Sequence, residues 1–155
     1  MPMCPRGGSS PRGGMLVCMQ TFQSSVVKRI RVMVASPDRY FRALTGEILN
    51  GYGYSQHIFA ETARGVLEGV RRDEPNLVLL DEALRVLTAT ELVHMIRRDC
   101  PGSFIPQTIL MVAHPTRWVV DEARQVGIDA LITKPIIPVR LIRTMEQLQS
   151  SRAAA

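Results

Sequence analysis

The chain is poor in cysteine, and the three it has, Cys4, Cys18 and Cys100, are scattered. Their number is odd and no C-x-x-C spacing occurs, so neither a disulfide framework nor a zinc site is expected, and the pattern suits a reducing cytoplasm. No apolar run approaches the roughly 18 residues of a membrane span. The short apolar stretch at residues 15–19 falls short of a secretory h-region. No G-x-G-x-x-G follows a strand-like run, so a dinucleotide fingerprint is missing. His57, His94 and His114 lie far apart and do not space as a metal triad. Ser24, Ser25 and Ser36 have no evident base, which leaves hydrolase chemistry without support. No repeat of solenoid period occurs.

Acid is also missing from one region. Residues 1–29 carry Arg6, Arg12, Lys28 and Arg29 and no Asp or Glu, which places +4 of the net +5 there. The high isoelectric point is therefore a property of the start of the chain. Residues 1–14 are Pro, Gly, Ser and Arg with two R-G-G triplets, a composition that buries too little apolar surface to offset chain entropy. We expect residues 1–28 to form a flexible basic tail. Four charges and two R-G-G triplets are too sparse for a specific nucleic-acid footprint.

From residue 29 the chain alternates strand and helix patterns. Residues 30–35 (IRVMVA) form a β-branched apolar run, the mark of a buried strand. Ser36, Pro37 and Asp38 break it and open a helix through about residue 50, with Phe41, Leu44 and Ile48 on its inward face. A weaker strand is expected at 55–60, a helix at 63–73, and the clearest strand at 77–80 (LVLL), ending at Asp81. A helix at 88–99 directs Leu92 and Ile96 inward. A loop at 101–106 precedes a strand at 108–112. A helix at 116–126 directs Val119, Ala123 and Val126 inward, and Gly127 caps it. A short strand at 130–132 runs into Lys134 and Pro135, and a last helix covers 139–148. Five apolar strands alternating with five helices predict an α/β fold, a parallel sheet covered on both faces. Crossovers are expected to be right-handed. The domain spans residues 29–149, and 150–155 form a short C-terminal tail.

In such sheets, ligands bind outside the carboxyl ends of the strands. Strand one ends at Ser36, Pro37 and Asp38, strand three at Asp81 and Glu82, and strand five at Lys134 and Pro135. An Asp after a strand is often a turn former, and a Lys before Pro is often a solvated loop charge. Together, at strands three and five of a (βα)5 order, they bring a carboxylate opposite an ammonium.

On these residues the chain resembles the receiver domain of bacterial response regulators, in two-component phosphorelay signalling. Residues 77–81 (LVLLD) resemble the phosphoacceptor strand, and Thr133, Lys134 and Pro135 the Lys-Pro signature. Glu91 and Leu92 fit the third helix, and Asp38 to Arg42 the opening of the first. The resemblance implies a flavodoxin-like doubly wound sheet of order 2-1-3-4-5. It implies Asp81 as the phosphoacceptor position and Lys134 as the partner of a phosphoryl oxygen.

It also exposes departures. The acidic pair that helps hold Mg²⁺ in the family falls on Ser36 and Pro37. That leaves Asp81, with Asp38 one residue beyond the pair, as metal-binding carboxylates, and implies weak Mg²⁺ binding or none. Glu82 follows Asp81, and its side chain is expected to point elsewhere. The strand-four hydroxyl position falls on Val112 and the aromatic switch position on Leu131. Arg85 and Val86 stand where the family has Pro-Gly.

The expected protein is a single-domain, non-enzymatic, receiver-like module acting through protein contacts, because only residues 150–155 follow the last helix. Its expected partner is a sensor histidine kinase or another signalling protein, and no membrane is expected. Trp118, with Val120 and Arg124 off the inward stripe and Arg140 and Arg143 on the last helix, suits an interface or a homodimer on the face of helix four, strand five and helix five. Two alternatives stay open: a fully phosphorylatable receiver, and an α/β enzyme using Asp81 and Lys134.

Overall fold

The computed structural model describes residues 29–84, 88–100 and 104–155. The apolar runs pair in parallel because each is followed by a helix that carries the chain back across the sheet. The elements are β1 (Val32–Ala35), α1 (Arg39–Gly51), β2 (His57–Ala60), α2 (Ala63–Asp73), β3 (Leu77–Asp81), α3 (Ala89–Asp99), β4 (Gln107–Val112), α4 (Arg117–Val126), β5 (Ala130–Thr133) and α5 (Pro138–Ala153). The five strands form one sheet of order β2-β1-β3-β4-β5, the flavodoxin-like order expected from the sequence. β3 lies at its centre, with Ala35 opposite Leu80 and Asp81 opposite Met111.

Successive strand residues point to opposite faces, and each face has its own core. Met33, Val78, Leu80, Leu110 and Val112 pack with Val66 and Val70 of α2, Leu92 and Ile96 of α3, and Ala123 of α4. Val34, Leu77, Leu79, Ile109 and Met111 pack with Leu49 of α1 and Leu141, Ile142 and Met145 of α5. Every residue of β3 is buried, which is why its sequence is apolar without alternation until Asp81. Among the described residues, no helix is long and apolar enough to cross a membrane.

Polar side chains set the helix starts. Asp38 caps α1 and Thr62 caps α2. Thr88 and Glu91 form a reciprocal capping box on α3, so Glu91 has a local structural task. Thr116 caps α4.

Two expectations are corrected. Leu44 does not face inward; it is 61% exposed, and the buried positions of α1 are Arg42, Thr45, Gly46 and Leu49. The helix turns this way because Arg42 serves the carbonyl of Ser36, and Gly46 leaves room for the Phe59 ring. Likewise, α5 does not stop near residue 148 but continues to Ala153, through most of the expected tail. Nothing between Gln149 and Ala153 breaks a helix, and the Ser150 and Ser151 hydroxyls donate back to the carbonyls of Glu146 and Gln147. The expected tail at 1–28 lies outside the described residues.

Gly127 ends α4 with φ of 77°, a left-handed geometry that costs a side-chain-bearing residue about 1–2 kcal/mol. A Cβ there would also meet the Arg97 guanidinium, which donates to the Gly127 carbonyl. Gly127→Ala is therefore expected to lower unfolding free energy by at least about 1 kcal/mol in a denaturant titration. An unchanged midpoint would contradict this account of the cap.

Candidate functional site

A strand's last residue projects its side chain beyond the sheet edge, where helices no longer cover it. Asp81 holds that place on the central strand. Ser36 follows β1 and is tied to the β2 end by its amide, which donates to the Ala60 carbonyl. Lys134 follows β5 and is tied to the β4 end by its amide, which donates to the Val112 carbonyl. The parallel register therefore brings Ser36, Asp81 and Lys134 together, as the sequence expected of Asp81 and Lys134.

The Asp81 carboxylate is almost wholly enclosed, with 2% of its side chain exposed. Lys134 Nζ donates to Oδ1 at 2.5 Å, the Ala83 amide donates to the same oxygen at 3.0 Å, and Ser36 Oγ donates to Oδ2 at 2.7 Å. An ionised carboxylate held away from water is costly unless paired and hydrogen-bonded; here both oxygens have donors and the charge has a counterion. The ammonium also lies 4.9 Å from the centre of the Phe41 ring. The Lys134–Pro135 peptide is cis.

Ser36 has a second role, accepting from the Asp38 amide at 3.1 Å. Asp38 itself turns to its own helix: Oδ1 accepts from the amides of Tyr40 and Phe41 at 2.8 and 3.3 Å. Pro37 offers no side-chain oxygen. Hard divalent cations such as Mg²⁺ are usually held through one or two carboxylates. Asp38 Oδ1 serves the α1 cap, and Ser36 and Pro37 bring no carboxylate, so the donor set around Asp81 is poorer in carboxylates than the one the resemblance implies. Among the described residues, no three His, Cys, Asp or Glu side chains cluster as metal ligands.

Two residues beside the site make contacts that its motifs do not reveal. Arg42, with 8% of its side chain exposed, donates to the Ser36 carbonyl at 2.6 Å and to Glu61 Oε1 at 2.5 Å. The only sequence signal was an arginine early in α1. Glu82 is not bonded to Asp81; it accepts from the Ala113 amide, just past the end of β4, at 2.5 Å. Val112 is fully buried in the core beneath α2, α3 and α4, and Leu131 packs against that core, so neither offers a polar group to the site. Arg85 and Val86 lie outside the described residues.

Trp118 is 71% exposed in the first turn of α4. Val120 is partly buried, and Arg124, Arg140 and Arg143 are exposed. A cavity of about 400 Å³ lined by Arg97, Gln107, Asp129 and Arg152 lies at the amino-terminal edge of the sheet, away from Asp81.

Comparison with known proteins agrees with this geometry. The model of the response regulator receiver domain matches residues 32–146. A response regulator receiver protein of Anaeromyxobacter sp. (strain Fw109-5) is 27% identical over 112 residues, 72% of this chain and 45% of the relative. The chain thus spans less than half the length of that curated relative. A CheY-like receiver domain protein from Methanospirillum hungatei JF-1 has a crystal structure similar to this one, with TM-score 0.71 and 25% identity over 81% of this chain and 98% of that one. The chemotaxis response regulator CheY4 of Vibrio cholerae shares the fold, with TM-score 0.69 at 19% identity over 76% of this chain and 97% of that one. Because the family match runs from the first strand into the last helix, and the matched strands bring Asp81 and Lys134 into contact, the chain belongs to the response regulator receiver family.

Proposed function

We propose that this protein is a pseudo-receiver: a signalling module that works through protein contacts and takes up phosphoryl groups weakly or not at all. The observation that carries the reading is the closure of Asp81, which is 2% exposed with donors on both carboxylate oxygens. Attack on phosphorus needs an approachable lone pair on that carboxylate and charge stabilisation around the transferred group. Lys134 and the Ala83 amide sit on one carboxylate oxygen and Ser36 on the other, so an incoming phosphoryl group meets a crowded, enclosed carboxylate. Without the acidic pair, the largest charge-neutralising element is weakened too, and we propose that Mg²⁺ binds weakly or not at all.

An α/β enzyme built on Asp81 and Lys134 is the weaker reading, because the two charges pair with each other. The working surface is proposed to be the α4–β5–α5 face, with Trp118 as anchor and Arg124, Arg140 and Arg143 around it. The partner is a histidine kinase, another signalling protein in the cytoplasm, or a second copy of the chain. Val112 and Leu131 give a phosphoryl group no polar handle on this face, so it is held in one state. A switch needs two.

Incubation with acetyl phosphate and Mg²⁺, followed by intact mass and borohydride trapping, is expected to leave the chain unmodified. A trapped adduct at Asp81 would instead establish the fully phosphorylatable receiver. Trp118→Ala is expected to weaken self-association or partner capture by a factor corresponding to on the order of 2 kcal/mol, with an unchanged melting temperature. Lowered stability with intact association would assign Trp118 to packing rather than to an interface.

A further inference from the structure

Backbone amides just past the ends of parallel strands are donors that the sheet ladder does not automatically satisfy. At this sheet edge most of them find carbonyls: Ser36 donates to Ala60, Glu82 to Met111 and Lys134 to Val112. Two instead find carboxylates. The Ala83 amide donates to Asp81 Oδ1 at 3.0 Å, and the Ala113 amide donates to Glu82 Oε1 at 2.5 Å. With Lys134 Nζ on Asp81 Oδ1, three donors at the ends of β3, β4 and β5 are filled by the carboxylates of two consecutive residues.

A tetrahedral oxyanion entering this edge would need those same donors. Glu82 reaches over from β3 to β4, and an amide-to-carboxylate bond is of the short, charge-assisted kind. Glu82 is exposed, so it makes this bond with little loss of hydration. Its charge also opposes a second anion nearby. Ala113 begins the connection to Thr116, the cap of α4, and Trp118 lies in the first turn of that helix.

We infer that Glu82 is an internal ligand of the receiver pocket. Its carboxylate occupies the Ala113 amide in place of an external oxyanion, closes the donor set to phosphate, and fixes the point from which α4 departs. The inference deepens the pseudo-receiver reading and rests on it: Asp81 closes the inner half of the pocket and Glu82 the outer half.

Amide NMR of the full chain tests it, without metal and with inorganic phosphate as the probe. In the wild type, phosphate is expected to leave the Ala83 and Ala113 amides unmoved. In Glu82→Ala, exchange of the Ala113 amide should quicken by about tenfold or more, and phosphate should shift the Ala113 amide while the Ala83 amide stays on Asp81. Glu82→Gln, which keeps an acceptor oxygen at the same reach, should retain most of the Ala113 protection. Unchanged Ala113 exchange in Glu82→Ala overturns the inference. So does faster exchange along the whole of β4, or a phosphate response that is equal in wild type and Glu82→Ala or absent from both. No phosphoryl group is transferred in this experiment, so its outcome is separate from that of the acetyl phosphate reaction.

Discussion

The structure at the carboxyl edge of the sheet depends on satisfying one buried charge. Asp81 ends a strand that is buried along its whole length, and only 2% of its side chain is exposed to water. Removing such a group's partners leaves an uncompensated charge, a loss of several kcal/mol. Ser36 and Lys134 meet that need from the ends of two other strands. The strand order matters for this reason: β1 and β4 flank β3, and β5 reaches Asp81 only because the Lys134 amide is pinned to the end of β4.

The solution extends outward through the chain's own side chains. Arg42 holds the Ser36 carbonyl and pairs with Glu61, so the residue that donates to Asp81 is itself fixed from α1. Asp38 faces α1 rather than the pocket, which makes the residue next to Pro37 a helix cap. A hydroxyl and a proline thus stand where the resemblance places an acidic pair, with Arg42 holding the Ser36 carbonyl beside them. The proposed consequence is a pocket whose demand for positive charge and hydrogen bonds is met internally, on a module whose exposed α4 face is presented continuously.

Much of this was legible in the sequence, for identifiable reasons. The strands are legible because a sheet covered on both faces needs unbroken apolar runs, and β3 has one. The α3 and α4 faces are legible because their apolar residues repeat at helical spacing. The meeting of Asp81 and Lys134 follows from their joint place at the ends of strands three and five, and their roles come from the resemblance. The α1 face was misread at Leu44, because periodicity assumes that buried means apolar, and here Arg42 and Thr45 take inward positions. The Glu82 contact with Ala113 links residues 31 apart in sequence, and no local pattern marks it. The end of α5 was placed early because its apolar stripe ends before the helix does, on residues that are polar but break nothing.

The central claim is that this pocket is satisfied by its own side chains and has little affinity for a divalent cation. Titration of Mg²⁺ into the wild-type chain, with the amides of Glu82 and Ala83 followed by NMR, tests it most directly. A variant carrying Ser36→Asp and Pro37→Asp is titrated beside it. The account predicts that the wild-type amides stay in place through millimolar Mg²⁺ while those of the variant move. Saturable movement of the wild-type amides at sub-millimolar Mg²⁺ would contradict it.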